Sequence, residues 1–283
     1  MLSSMGRKII VALLAGLILA GCAGRIGFQN AAPKSPIQIP ATLYRPSGPG
    51  PFPAVVLLHG CEGVTASHHG LARWVQARGY VALVVDSWSP RGLTEICSFE
   101  GPEIDRFWRF DDAMGALSYL QSLGFVDPAR IGAIGWSNGG VYSMAVVNGP
   151  SLERAIKRGV TLPSPGYAAA VAVYPGGCFS LVEERAVRPL LLLIGEADDW
   201  TLAAECAQMV NAMRSRGANA AIVAHPGTYH YFDVEAQRLE VLPNVENRNR
   251  PGKCCGATVG YNAAAAADAH RRVEEFFARH LKP

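Results

Sequence analysis

The chain has 283 residues, of which 49% are hydrophobic and 17% charged, with a formal net charge of +3. No basic or acidic run exceeds a few residues, which excludes the electrostatic footprint of a nucleic-acid partner. That length and apolar content can bury one large core, so a single folded domain is expected.

At the N-terminus, Arg7 and Lys8 precede an apolar run from Ile9 to Leu19, closed by Ala20, Gly21 and Cys22. A basic start, an apolar stretch and small residues describe a secretory signal, and the run is short for a membrane span. An ordinary cleaved signal or an uncleaved anchor are the alternatives to a more specific reading. "LAGC" resembles the lipobox of bacterial lipoproteins, which implies cleavage before Cys22 and lipidation of its thiol. The protein would then be exported and held to a membrane by that lipid, on the periplasmic or cell-surface side. Residues 1–21 are read as the signal. Residues 22–36 have no period and read as a tether, leaving 37–283 for the domain.

Beyond the tether, short apolar runs alternate with helical patterns. Residues 54–60, 80–86, 130–136, 168–175 and 189–195 are rich in Val, Leu, Ile and Ala and do not alternate with polar residues. Such runs suit strands buried on both faces of a parallel sheet. Residues 41–46 and 219–226 read as edge strands. Helices are expected over 67–78, 105–123, 202–215 and 263–281. In the second of these, Phe107, Phe110, Ala113, Leu117 and Leu120 recur every three or four positions. Repeated strand–helix–strand units predict an α/β fold, a mostly parallel, doubly wound sheet with helices on both faces. The connection 148–167 is too short for a lid domain, so an open or shallow site is expected.

One strand runs into "GWSNG", Gly135 to Gly139, which fits G-x-S-x-G. That pattern alone is weak, but its setting between a buried strand and a helix makes it informative. The glycines permit a sharp turn that presents Ser137 as a nucleophile, and the helix start supplies N–H groups beside it. A serine nucleophile needs a base, and the base needs an orienting carboxylate. Of the histidines after Ser137, His270 and His280 lie on the last helix and His225 ends a strand. His230, in "PGTYHYFD", lies in a loop just past a strand end and is the candidate base. "GEADDW" places Asp198 and Asp199 at another strand end; only one of two adjacent side chains can face His230, and Asp198 is preferred. The amides of Cys61 and Asn138 are the candidate oxyanion donors.

Seven cysteines suit an exported chain. Apart from Cys22, the pairing of Cys61, Cys97, Cys178, Cys206, Cys254 and Cys255 is left open, although the adjacent Cys254 and Cys255 are not expected to join in a strained eight-membered ring. No metal-ligand spacing is present, and neither a metal nor a cofactor is expected. His59 is read as structural, and Asp111 with Asp112 as a helix-face pair.

"LLHGCEGV", "DSWSPRG", "DPARIGAIGWSNGG", "GEADD" and "PGTYHYFD" together resemble the dienelactone hydrolase branch of the α/β-hydrolases, over roughly residues 37–281. The resemblance implies an α/β-hydrolase fold, a Ser137–Asp198–His230 triad, and oxyanion amides at Cys61 and Asn138. Two departures stand out. The name-giving enzymes use a cysteine nucleophile, and they clamp a substrate carboxylate with two arginines. Arg91 sits where one arginine is expected, but "HYFDVE" offers no arginine just after His230. Trp136, Trp88 and Tyr174 are further candidates for lining a substrate pocket.

The reading is a serine hydrolase that cleaves carboxylic esters or lactones of small molecules through an acyl-enzyme on Ser137. A polyester- or cutin-type esterase and a non-catalytic binding module on a hydrolase scaffold are the alternatives. Nothing in the sequence speaks to oligomeric state.

Overall fold

The computed structural model describes residues 23–98, 104–105, 107–178 and 185–282. Residues 1–22, on which the expected signal and Cys22 fall, lie outside the described residues. Among the described residues, no helix is long and apolar enough to cross a membrane.

Eight strands form one sheet: β1 (Ala23–Gln29), β2 (Gln38–Tyr44), β3 (Phe52–Leu58), β4 (Val81–Val85), β5 (Val126–Trp136), β6 (Ala169–Val173), β7 (Leu190–Gly195) and β8 (Ala220–His225). Their order is β1-β2-β4-β3-β5-β6-β7-β8. From β4 to β8 every neighbouring pair is parallel, whereas β1 and β2 add an antiparallel edge. Every residue of β4, β6 and β7 is buried, which explains why these runs show no polar alternation.

Helices α1 (Ala66–Ala77), α2 (Trp108–Gln121), α3 (Asn138–Ala145), α4 (Gly149–Lys157), α5 (Ala203–Ser215) and α6 (Ala263–Leu281) complete the layers. Two glycines of β5 show the two faces. A side chain at Gly132 would meet Leu281 and Phe277 of α6, whereas one at Gly135 would meet the start of α3. Three positions apart in a strand means opposite faces. Helix α1 lies beside α6, with Trp74 stacked on His270, and α2 lies against α3. A short hairpin of β9 (Glu240–Leu242) and β10 (Ala257–Val259) joins β8 to α6.

Two expectations need correction. Part of the expected tether is strand: Ala23–Gln29 pairs with Gln38–Tyr44 from Ala23↔Tyr44 to Gln29↔Gln38. Only Phe28 of that strand is buried, so it carries no apolar run to betray it; its partner β2 defines it. Cys254 and Cys255, contrary to expectation, are paired with each other. Asp111 and Asp112 lie together on α2 as expected, where both are buried and bound to arginines. The remaining cysteines pair as Cys61–Cys97 and Cys178–Cys206.

Candidate active site

The parallel strands deliver the candidate residues to one edge of the sheet. Cys61 follows the end of β3, Ser137 the end of β5, Asp198 the end of β7 and His230 the end of β8. The carboxyl ends of parallel strands are where such folds gather functional loops.

Ser137 is the N-cap of α3 and has φ 49° and ψ −114°, outside the regions that L-residues favour. Its neighbours in the motif make that turn possible. A side chain on Gly135 would overlap the carbonyl of Gly139, and one on Gly139 would overlap the carbonyls of Leu58 and His59. The turn is therefore too tight for any residue but glycine at either position. It leaves Ser137 6% exposed on a cleft of about 1280 Å³ that Cys61, Asn138, Val141, Trp200 and Thr201 also border.

Behind the cleft, His230 is wholly buried, with Tyr174 at 4.3 Å and Trp200 at 4.8 Å between ring centroids. Its Nδ1 lies 2.7 Å from Asp198 Oδ2. Because that oxygen is an acceptor, Nδ1 is the donor of this bond and Nε2 is left free of Asp198. Asp198 is itself fixed by the amides of Trp200 and Thr201 on Oδ1 and by the Thr201 hydroxyl on Oδ2. Nε2 of His230 has no partner among the described residues, and the Ser137 hydroxyl is not hydrogen-bonded to it. Catalytic hydrogen bonds are often long before substrate binds. Asp199 turns the other way, accepting from the Thr258 amide and hydroxyl and from Arg250, and so ties down the β9–β10 hairpin.

The candidate oxyanion loop is stapled by the Cys61–Cys97 disulfide and by the Trp88 indole, which donates to the Cys61 carbonyl at 3.2 Å. His59 is structural: Nε2 accepts from the Ser87 amide and Nδ1 donates to the Gly60 carbonyl. Burial, then the nearby Arg109 charge, holds it neutral, well below the ordinary histidine range. The same causes push His68 down to about 3. Glu62 accepts from the Tyr231 hydroxyl at 3.1 Å, and burial raises its pKa.

The four residues proposed to line a substrate pocket are turned inward instead. Arg91 makes a two-point contact with Asp112, both bonds 2.8 Å, with its side chain 6% exposed. Trp136 and Tyr174 both donate to Asp233, each at 2.7 Å, and Trp88 serves Cys61. None of the four borders the cleft. Each has a polar atom that finds a protein partner, and burial follows from that pairing. Asp233, Thr201 and Arg109 are the residues sequence reasoning missed; "HYFD" held Asp233 in view, but its partners lie 97 and 59 positions away.

One cluster of the described residues has metal-ligand proximity, Cys61, Glu62 and Cys97, but its two sulfurs are joined in the disulfide.

Residues 39–281 match the profile of the dienelactone hydrolase family. A Synechocystis protein provisionally named carboxymethylenebutenolidase is 24% identical over 263 residues, covering 88% of this chain and 95% of its own. A Bradyrhizobium protein provisionally named 2-oxo-3-(5-oxofuran-2-ylidene)propanoate lactonase is 23% identical over 197 residues, covering 68% and 78%. Carboxyl esterase 2 from the mycorrhizal fungus Tuber melanosporum superposes with a TM-score of 0.61 at 18% identity, covering 94% of this chain and 89% of that one. At that identity the superposition speaks to the α/β-hydrolase fold alone.

Proposed function

The chain belongs to the dienelactone hydrolase family, and we propose that it cleaves carboxylic esters or lactones of small molecules through an acyl-enzyme on Ser137. The observation that carries this reading is a strained, cleft-facing serine at the same sheet edge as a buried Asp198–His230 couple, itself held on the ends of the neighbouring strands β7 and β8.

In this reading His230 Nε2 takes the Ser137 proton as Oγ attacks the ester carbonyl. The carbonyl oxygen, now negative, is met by the amides of Cys61 and Asn138. Asp198 keeps the imidazole in the required tautomer and offsets its charge once protonated. His230 then returns the proton to the leaving alkoxide. A water deprotonated by His230 attacks the acyl carbon, and the acid leaves as Ser137 regains its proton. None of these steps asks for a cofactor.

Arg91 is committed to Asp112, so the reading does not extend to the carboxylate clamp of the name-giving enzymes. The substrate is an ester or lactone for which a paired-arginine clamp is not needed. The "LAGC" sequence further supports export and a membrane anchor through a lipid on Cys22, with the hydrolase acting on the periplasmic or cell-surface side.

The test is turnover of a short-chain p-nitrophenyl ester by Ser137→Ala. The reading predicts loss of activity with little change in thermal unfolding; retained turnover overturns Ser137 as the nucleophile.

A further inference from the structure

Helix α2 buries an arginine that makes no ion pair among the described residues, although Asp112 and Glu62 lie near enough to favour its charge. Arg109 is 0% exposed, and among the described residues its hydrogen bond runs from Nη1 to Asn138 Oδ1, at 2.7 Å. Nε and Nη2 have no partner among the described residues. Aromatic rings flank the guanidinium, with Trp88 at 4.9 Å and Tyr142 at 5.5 Å. The acids nearest in sequence are already engaged. Asp112 takes both nitrogens of Arg91 and the Asn30 amide, and Asp111 takes Arg158.

Holding a cation in the interior without a paired anion is costly, and a neutral side chain of similar volume would be better tolerated there. The position of the charge suggests what offsets that cost. Asn138 immediately follows Ser137 and opens α3, and its amide is one of the two oxyanion donors in the mechanism above. Arg109 therefore stands one side chain behind the place where negative charge develops. The guanidinium is itself wholly out of water, so its field is less screened than that of a surface arginine. His59 and His68 already feel that field, since Arg109 contributes to keeping both neutral.

We propose that Arg109 is a positioning residue of the oxyanion site, fixing Asn138 through Nη1 and supplying a preorganised positive charge that favours the tetrahedral oxyanion over the bound ester. The proposal rests on Ser137 being the nucleophile. It concerns the transition state, so removing the charge should lower kcat and leave KM nearly alone.

The experiment compares the wild-type enzyme with Arg109→Met, Arg109→Gln and Arg109→Lys. Four quantities are read: kcat and KM for p-nitrophenyl butyrate, inhibition by an aryl trifluoromethyl ketone, and Tm. The ketone forms a hemiketal oxyanion on a reactive serine; a non-electrophilic amide of the same shape serves as the ground-state control. Arg109→Met should lower kcat about 10- to 100-fold, the scale below that of a direct oxyanion donor, with KM within about threefold. Affinity for the ketone should fall by the same factor and affinity for the amide should not. Arg109→Gln keeps a donor for Asn138 without the charge and should also lose kcat, whereas Arg109→Lys should recover at least part of it. Tm of Arg109→Met should be unchanged or higher.

Undiminished kcat in Arg109→Met overturns the proposal. So does a loss of kcat that tracks a fall in Tm while ketone affinity stays constant, which is the signature of a purely structural arginine. If Arg109→Met fails to fold, full activity in Arg109→Gln overturns it instead. A wild-type enzyme that a fluorophosphonate does not label at Ser137 overturns the nucleophile reading, and the Arg109 proposal with it. Labelled Ser137 with an indifferent Arg109 overturns the second alone.

Discussion

Asp198 Oδ2 and His230 Nδ1 meet at 2.7 Å with both side chains fully buried, although 32 residues separate them in sequence. Two features of the packing make the contact. Strands β7 and β8 are parallel neighbours, so the loops that follow them emerge side by side. The backbone amides of Trp200 and Thr201 then hold the carboxylate by its other oxygen, leaving Oδ2 to the imidazole.

The adjacent acids should therefore separate cleanly on mutation. Asp198→Asn can leave the imidazole in the wrong tautomer and should lower kcat about 10³- to 10⁴-fold, with the fold retained. Asp199→Asn weakens the ties to Thr258 and Arg250 and should cost about 1–2 kcal/mol of stability, with kcat within a few-fold of wild type. Steady-state kinetics and thermal melts on both variants check this; the reverse pattern would assign the triad acid to Asp199.

Glu62 gives a pH signature. Burial raises its folded pKa above the ordinary carboxylate value, so its charged form is less favourable in the fold than in the unfolded chain. The sign follows directly. Below the unfolded pKa the group is protonated in both states and costs nothing, and the cost accumulates as pH rises through the folded pKa. Glu62→Gln removes that cost while its amide oxygen still accepts from Tyr231. Melting curves should show a higher Tm than wild type at pH 7–8, with the difference shrinking towards pH 4. An unchanged or lower Tm at pH 8 would contradict the account.

Gly139→Ala should be far more damaging than an ordinary surface glycine replacement. Its new methyl group would collide with the backbone carbonyls of Leu58 and His59, and backbone cannot turn aside as a side chain can. A loss of about 3 kcal/mol or more is expected. At this chain length that is a fall of roughly 5 °C in Tm. A variant that melts with wild type would mean the turn is looser than described.

The Cys61–Cys97 disulfide closes a loop across a sequence separation of 36 and holds one candidate oxyanion amide. The double replacement Cys61→Ser, Cys97→Ser should lose about 2–4 kcal/mol by loop entropy. It should also lower kcat, because Cys61 borders the cleft beside Ser137. Calorimetry and ester turnover with and without reductant measure the two effects. Loss of stability with full turnover would remove Cys61 from the oxyanion site.

The central strands were legible because both of their faces are buried, which leaves unbroken apolar runs in β3 to β7. The tight turn at Ser137 and the Asp198–His230 contact were legible because strand ends, glycines and chain order narrow the choices. Strand β1 was not, since six of its seven residues are not buried and its existence depends on β2. Arg109, Asp111 and Asp112 show a second limit. Helical periodicity assigns polar residues of α2 to the solvent side, yet Asn138, Arg158 and Arg91 satisfy them in the interior. Trp88, Arg91, Trp136 and Tyr174 were misread for the same reason: which buried partner a polar atom finds is a long-range fact that local spacing does not carry.

The most direct test of the central claim is labelling of the folded protein with a fluorophosphonate probe, followed by mapping of the modified peptide by mass spectrometry. The account predicts a single adduct on Ser137, abolished in Ser137→Ala and strongly slowed in His230→Ala. Folded protein that takes up no label, or carries it on another residue, would contradict the claim that Ser137 is an activated nucleophile.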